Sequence, residues 1–215
     1  MTAAIMSPIF DFFLEAYKST PTFQIILEAI AFVFGIASVW CAKQENILVY
    51  PTGIICTVIT VYLLYINEYF GDMMMNFYYS VMSIYGWWNW SRKKGDKYVV
   101  PISRTTTKEK LIGLVFFVVT MIITYVVYRI NDYDIQLVNY IDIFTSGIFF
   151  TAMWFMANKK LENWTLWIFA DLITIPLYAY RGLGMLSLQY LIFTILAIYG
   201  YIEWKKNLNN NRQTV

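Results

Sequence analysis

Charged residues in this chain collect in short clusters, and between the clusters run seven apolar stretches: 24–41, 47–66, 71–90, 111–128, 136–157, 164–181 and 185–204. Each is close to the roughly 20 residues that a helix needs to cross the hydrocarbon core of a bilayer. None has Lys or Arg in its interior. The pattern predicts an all-α integral membrane protein with seven transmembrane helices. Ahead of the first stretch, Phe10, Phe13, Leu14 and Tyr17 recur at helical spacing while Asp11, Glu15 and Lys18 interrupt them. Residues 1–22 therefore read as a short amphipathic helix lying at the interface. They have neither a basic leading segment nor a small-residue cleavage site, and so do not read as a signal peptide.

Composition sharpens this. Of 215 residues, 59% are hydrophobic and 14% charged, with a mean hydropathy of +0.52, which is more apolar surface than a soluble domain of this size can bury. The net charge of +2 comes from loops rather than a basic face, and gives no footprint for nucleic acid. There is no histidine, so the commonest metal ligand and general base are absent; no metal and no cofactor are expected. Cys41 and Cys56 sit in apolar runs without metal-site spacing and read as small buried hydrophobes. A membrane-embedded enzyme is the weaker alternative, since Asp142 and Asp171 come with no recognisable Ser or Cys nucleophile motif.

The connections carry the orientation signal. Those after stretches one, three and five, together with the tail 205–215, hold thirteen Lys and Arg, from Lys43 through the Arg92–Lys110 loop and Lys159–Lys160 to Arg212. The opposite side holds only Lys18, Arg129 and Arg181. The positive-inside rule then places the N-terminus outside and the C-terminus in the cytoplasm.

An echo organises the chain. "YGWWNW" at Tyr85–Trp90 returns 114 residues later as "YGYIEW" at Tyr199–Trp204. Extending the alignment backward with small gaps sets Gly71 near Gly184 and Gln44–Asn46 near Leu161–Asn163. Residues 23–91 and 136–204 become two triple-helix repeats, with the basic loop and linker helix between them in 92–135. The offset covers four crossings, so the two copies run parallel. Each echo closes the last helix of its repeat, and Trp87, Trp88, Trp90 and Trp204 read as an interfacial aromatic belt. Parallel repeats are one architecture of secondary transporters, whose substrate site lies near the midplane between them.

Polar groups inside a span are costly and mark function. In the sixth stretch Asn163, Trp167 and Asp171 recur every four residues and share a helical face, with Trp164 beside it. In the third, Asn76 and Ser80 share a spacing with Tyr79 adjacent; in the fifth, Asp142, Ser146 and Trp154 form a similar stripe. Ser80, Ser146 and Glu28 read as groups that join helices. Asn76, Asn163, Trp167 and Asp171 read as ligand contacts. The methionines flanking Asn76 read as packing rather than a soft-metal site, and Pro176 as a kink or hinge. Indoles suit flat or cationic rings, and amides and a carboxylate suit hydroxyls or a ring amide. With no basic residue in the spans, nothing there meets a phosphate. The expected ligand is an unphosphorylated, ring-containing, cationic nutrient.

From about Thr22 onward the chain resembles the PnuC family of nicotinamide riboside transporters, through "ENILVYPTGI", "YFGDMMMNFYYSVMSIYGWWNW", "ENWTLWIFAD" and "IYGYIEW" in that order. The resemblance implies a duplicated triple-helix fold of 3+1+3 plan related to the SWEET sugar transporters, assembled as a homotrimer in the bacterial inner membrane. It implies facilitated diffusion of an unphosphorylated vitamin, trapped by a cytoplasmic kinase. Carried over residue by residue, the binding positions are Asn76, Asn163, Trp164 and Trp167, with Asp171 at the motif's acidic position; Tyr79 stands beside Asn76. The family also contains thiamine carriers and suspected riboflavin carriers, which remain alternatives.

Overall fold

The computed structural model describes residues 20–66, 70–94, 97–98, 100–130, 135–180 and 184–213; most of the expected 1–22 interfacial helix lies outside them. Seven helices stand where the apolar stretches predict them: α1 (Thr22–Lys43), α2 (Val49–Ile66), α3 (Phe70–Ser91), α4 (Thr107–Ile130), α5 (Leu137–Ala157), α6 (Glu162–Tyr180) and α7 (Gly184–Gln213). The basic loop adds a small hairpin, β1 (Lys93–Lys94) against β2 (Lys97–Tyr98). Residues 205–213, expected as a tail, continue α7. α6 runs on through Pro176. Five of the seven are long and apolar enough by composition to cross a membrane; α3 and α6 fall short. The shortfall has a cause: these two carry Asn76, Asn89, Asn163 and Asp171. The chain is a multi-pass membrane protein.

Six helices close a ring. Each packs on two others in the order α1, α2, α3, α5, α6, α7 and back to α1, while α4 stands outside against α5. Tyr78 fastens the α3–α5 seam: its hydroxyl donates to the Phe150 carbonyl at 3.0 Å and its ring stacks on Phe150 at 3.9 Å. At the α7–α1 seam the Trp204 indole donates to the Ala42 carbonyl at 3.0 Å.

One end of the ring, where the α1–α2 and α5–α6 connections lie, is filled by an aromatic plug. Trp90 meets Tyr50 edge-on at 5.1 Å and 85°, and Trp204 meets Trp164 edge-on at 5.4 Å and 87°. The two pairs join through Trp90 and Trp204, 6.0 Å apart. Both depend on a glycine for close approach: a Cβ on Gly86 would enter the Tyr50 ring, and one on Gly200 would lie 2.7 Å from the Trp164 ring. The belt expectation is thus corrected in part. Trp87 and Trp88 are 43% and 59% exposed, but Trp90 and Trp204 are 2% and 0% exposed. They are core residues.

The members of the two clusters, Tyr50 and Trp164, Gly86 and Gly200, Trp90 and Trp204, all stand 114 positions apart. The helix ends obey the same offset. After α1, Asn46 N–H bonds to the Cys41 carbonyl, and after α5, Lys160 N–H bonds to the Phe155 carbonyl, each at 2.9 Å. This is the six-to-one bond that ends a helix on a left-handed residue. Those residues are Glu45 at φ 54° and Lys159 at φ 49°. The contacts therefore follow an ungapped register, rather than the gapped pairing of 44–46 with 161–163.

Candidate functional site: a cavity inside the helix ring

Above the plug the ring encloses a cavity of about 480 Å³, within the usual size range of small-molecule sites. It reaches from Thr20 and Gln24 at the start of α1 to Ala42 and Trp164 at the plug. Of the residues expected at the site, Asn76 and Tyr79 line it from α3, and Trp164, Trp167 and Asp171 line it from α6. The spacing explains why: residues 164, 167 and 171 recur at three and four positions and so stand on one face, which the ring turns inward.

Asn163 is not among the lining residues. It is fully buried in the first turn of α6, where its Nδ2 donates to the Lys160 carbonyl at 2.6 Å and its Oδ1 has no hydrogen-bond partner among the described residues. Ser80 also stays out of the lining; it bonds to Thr57 at 2.7 Å and to the Asn76 carbonyl, as expected of a helix-joining group. Ser146 does both, donating to the Met75 sulfur at 3.4 Å while lining the cavity.

Two lining groups carry unmet hydrogen-bonding capacity. Asp171 is 2% exposed and its Oδ1 has no partner among the described residues, and neither has the Trp164 Nε1–H. A buried polar atom left unpaired costs about 1–3 kcal/mol, so both atoms suit a ligand that supplies a donor to one and an acceptor to the other. Trp167 stands between them along the helix, its ring 5.5 Å from Phe149 and 6.2 Å from Tyr79. No Lys or Arg among the described residues lines the cavity. Nor do the described residues contain a cluster able to hold a metal ion.

Several lining residues fall outside the site read from the sequence. Glu28, expected to join helices, lines the wall, as does Asp142 of the fifth-stretch stripe, which also accepts a 2.6 Å bond from the Tyr128 hydroxyl of α4. Gln189, Tyr190 and Phe193 line it from α7. The signal that finds them is the ungapped register: they stand 114 positions after Met75, Asn76 and Tyr79, which line it from α3.

Residues 25–206 match the model of the family described as nicotinamide mononucleotide transporter. The chain is 22% identical over 201 residues to the nicotinamide riboside transporter PnuC of Escherichia coli K12, covering 83% of this chain and 84% of that one. The PnuC of Shigella flexneri matches to the same extent. Among solved structures, that of the vitamin B3 transporter PnuC superposes with a TM-score of 0.68 at 22% identity, covering 96% of this chain and 88% of that one, a likeness of fold. With the family model matching most of its length, the chain belongs to the nicotinamide mononucleotide transporter family of membrane transport proteins and is not an enzyme.

Proposed function

We propose that the chain is a carrier for an unphosphorylated cationic vitamin, nicotinamide riboside first, taken up across the inner membrane of a bacterium. The observation behind this is the wall of the cavity: two indoles and a buried carboxylate with an unpaired Oδ1, and no Lys or Arg among the described lining residues. A pyridinium ring suits the indole faces, where cation–π attraction reaches ~2 kcal/mol when desolvated. The carboxylate suits its charge. A phosphorylated ligand would bring two negative charges to a wall with no cation to meet them. The riboside named for the relatives fits this lining better than the mononucleotide in the family's description.

The site in this proposal comprises Asn76, Tyr79, Trp164, Trp167 and Asp171, with Asn163 acting from below to set the first turn of α6. The scaffold is two parallel triple-helix repeats, α1–α3 and α5–α7, joined by α4 in a SWEET-like 3+1+3 plan. Supporting it, exchange of the two halves turns the α3–α5 contact into the α7–α1 contact, and both are present. The distribution of Lys and Arg supports a cytoplasmic C-terminus, and the plugged end then faces the cytoplasm. Transport is by facilitated diffusion with trapping by a cytoplasmic kinase, since a wall without cations cannot carry the phosphorylated product back. Counterflow should then be unaffected by a pH or sodium gradient. The exposed apolar face of α4, including Leu111, Val115 and Ile122, is available to lipid and to the other copies of a homotrimer.

Thiamine is the second reading, favoured by one feature: an unpaired carboxylate oxygen suits the amino group of an aminopyrimidine. Titration of the purified protein with nicotinamide riboside, thiamine, riboflavin and nicotinamide mononucleotide, followed by tryptophan fluorescence, decides. Saturable quenching by the riboside, weakened in Trp167→Ala, is expected. Quenching by thiamine alone would transfer the assignment, and binding by none of the four would remove the vitamin reading.

A further inference from the structure

A charged residue at the left-handed end of a helix requires explanation. Glycine is the residue that normally ends a helix there, because a Cβ crowds the following carbonyl oxygen in left-handed backbone. Such strain persists where the surroundings over-determine it, often at switches. Among the described residues, left-handed backbone outside glycine occurs at Glu45 and Lys159. They occupy the same place in the ungapped register, 114 positions apart, and their side chains meet across the ring with Nζ 3.2 Å from Oε2.

This contact spans the mouth of the plugged end. Glu45 follows α1 and Lys159 follows α5, so the pair ties one half of the ring to the other. It is not a solvated surface pair: the side chains are 27% and 7% exposed. Asn207 of α7 donates to the remaining Glu45 oxygen at 3.0 Å. The Lys159 ammonium lies 4.5 Å over the Trp90 ring, and Trp90 packs on Trp204. Below the cavity, then, come an aromatic layer and a charged clasp, each made from both halves.

We infer that Glu45 and Lys159, with the Trp90 and Trp204 layer beneath the cavity, form the gate on the cytoplasmic side, and that the pair must part for each release of substrate. The inference rests on the carrier reading above. Trp164 links ligand and gate, because its ring lines the cavity and also packs on Trp204 against Gly200. A ligand acceptor that engages its Nε1–H acts on the same ring that completes the plug. The repeat also explains the choice of residues. A single residue type at both positions would set like charges together; opposite charges at equivalent positions make a clasp.

Cys56 lines the cavity and serves as a native reporter. In a Cys41→Ser background, labelling of Cys56 by a membrane-impermeant maleimide is measured in everted membrane vesicles, where the reagent reaches only the cytoplasmic side. Labelling of the otherwise unaltered protein is expected to be slow. Glu45→Gly or Lys159→Gly should speed it about tenfold, a shift of the closed population by that factor. Glycine suits the left-handed backbone but leaves the partner charge unpaired, so Tm is measured for each variant and labelling is compared well below it, where faster labelling cannot be ascribed to unfolding. The exchange Glu45→Lys with Lys159→Glu should restore most of the protection, short of the contact with Trp90. Unchanged labelling in both glycine variants, or an exchange variant that labels as fast as they do, would overturn the gate. Labelling needs no substrate: if the gate behaves as expected while no riboside binds, only the substrate assignment falls. If riboside binds while labelling stays unchanged, only the gate falls.

Discussion

The two halves of the ring agree at the plug and disagree at the cavity. At the plug, Tyr50, Gly86 and Trp90 of the first half make the same contacts as Trp164, Gly200 and Trp204 of the second. In the cavity wall the same register pairs Gly53 with Trp167, Thr57 with Asp171, Asn76 with Tyr190 and Tyr79 with Phe193. Where helices must close on each other, packing at near-crystalline density leaves few residue choices. Where they face open space, the choices are set by the ligand. The second half supplies α6 with the indole and carboxylate, and the first supplies small and hydroxyl-bearing groups on α2. On the carrier reading proposed above, a flat cationic ring belongs against α6, and the remainder of the ligand against α2 and α3.

The largest effects should come from breaking this asymmetry. Trp167→Ala and Asp171→Asn should each weaken binding of the cationic vitamin by about tenfold to a hundredfold, the range of a desolvated cation–π or charge-assisted contact. Thr57→Val, at the counterpart of Asp171, should change it less than about threefold, since one neutral hydrogen bond contributes about 1 kcal/mol or less. Fluorescence titration of the three variants makes the comparison, and equal losses would contradict a division of labour.

Next come the two glycines, which test the agreement rather than the difference. Gly86→Ala and Gly200→Ala each place a methyl group against a buried ring and should each cost about 1–3 kcal/mol by overpacking. Thermal unfolding in detergent should show comparable losses of Tm. A loss confined to one of them would mean that the two clusters are equivalent in shape but not in energy.

The smallest effect sharpens the register. Ser38 donates to the Val49 carbonyl at 2.8 Å, while its counterpart 114 positions on is Ala152, fully buried. Ser38→Ala gives the first half what the second already has, and should lower stability by no more than about 1 kcal/mol, read as a small shift of Tm.

Seven helices were legible because a bilayer demands long apolar runs, and that demand is written locally in the chain. The family was legible through motifs in order. The inward face of α6 was legible because residues 164, 167 and 171 recur with the helical period. Periodicity gives a face but not a depth, which is why Asn163, aligned with that face, lies below the cavity instead of in its wall. The YGWWNW echo was visible, but not which tryptophan matters: ring closure turns Trp90 toward Trp204 and leaves Trp87 and Trp88 outside. The clasp was invisible, because Glu45 and Lys159 differ in charge and a comparison of residue types separates them. Only the tertiary structure could pair them, since it compares backbone positions across 114 residues. At those positions a common left-handed helix end brings unlike side chains together.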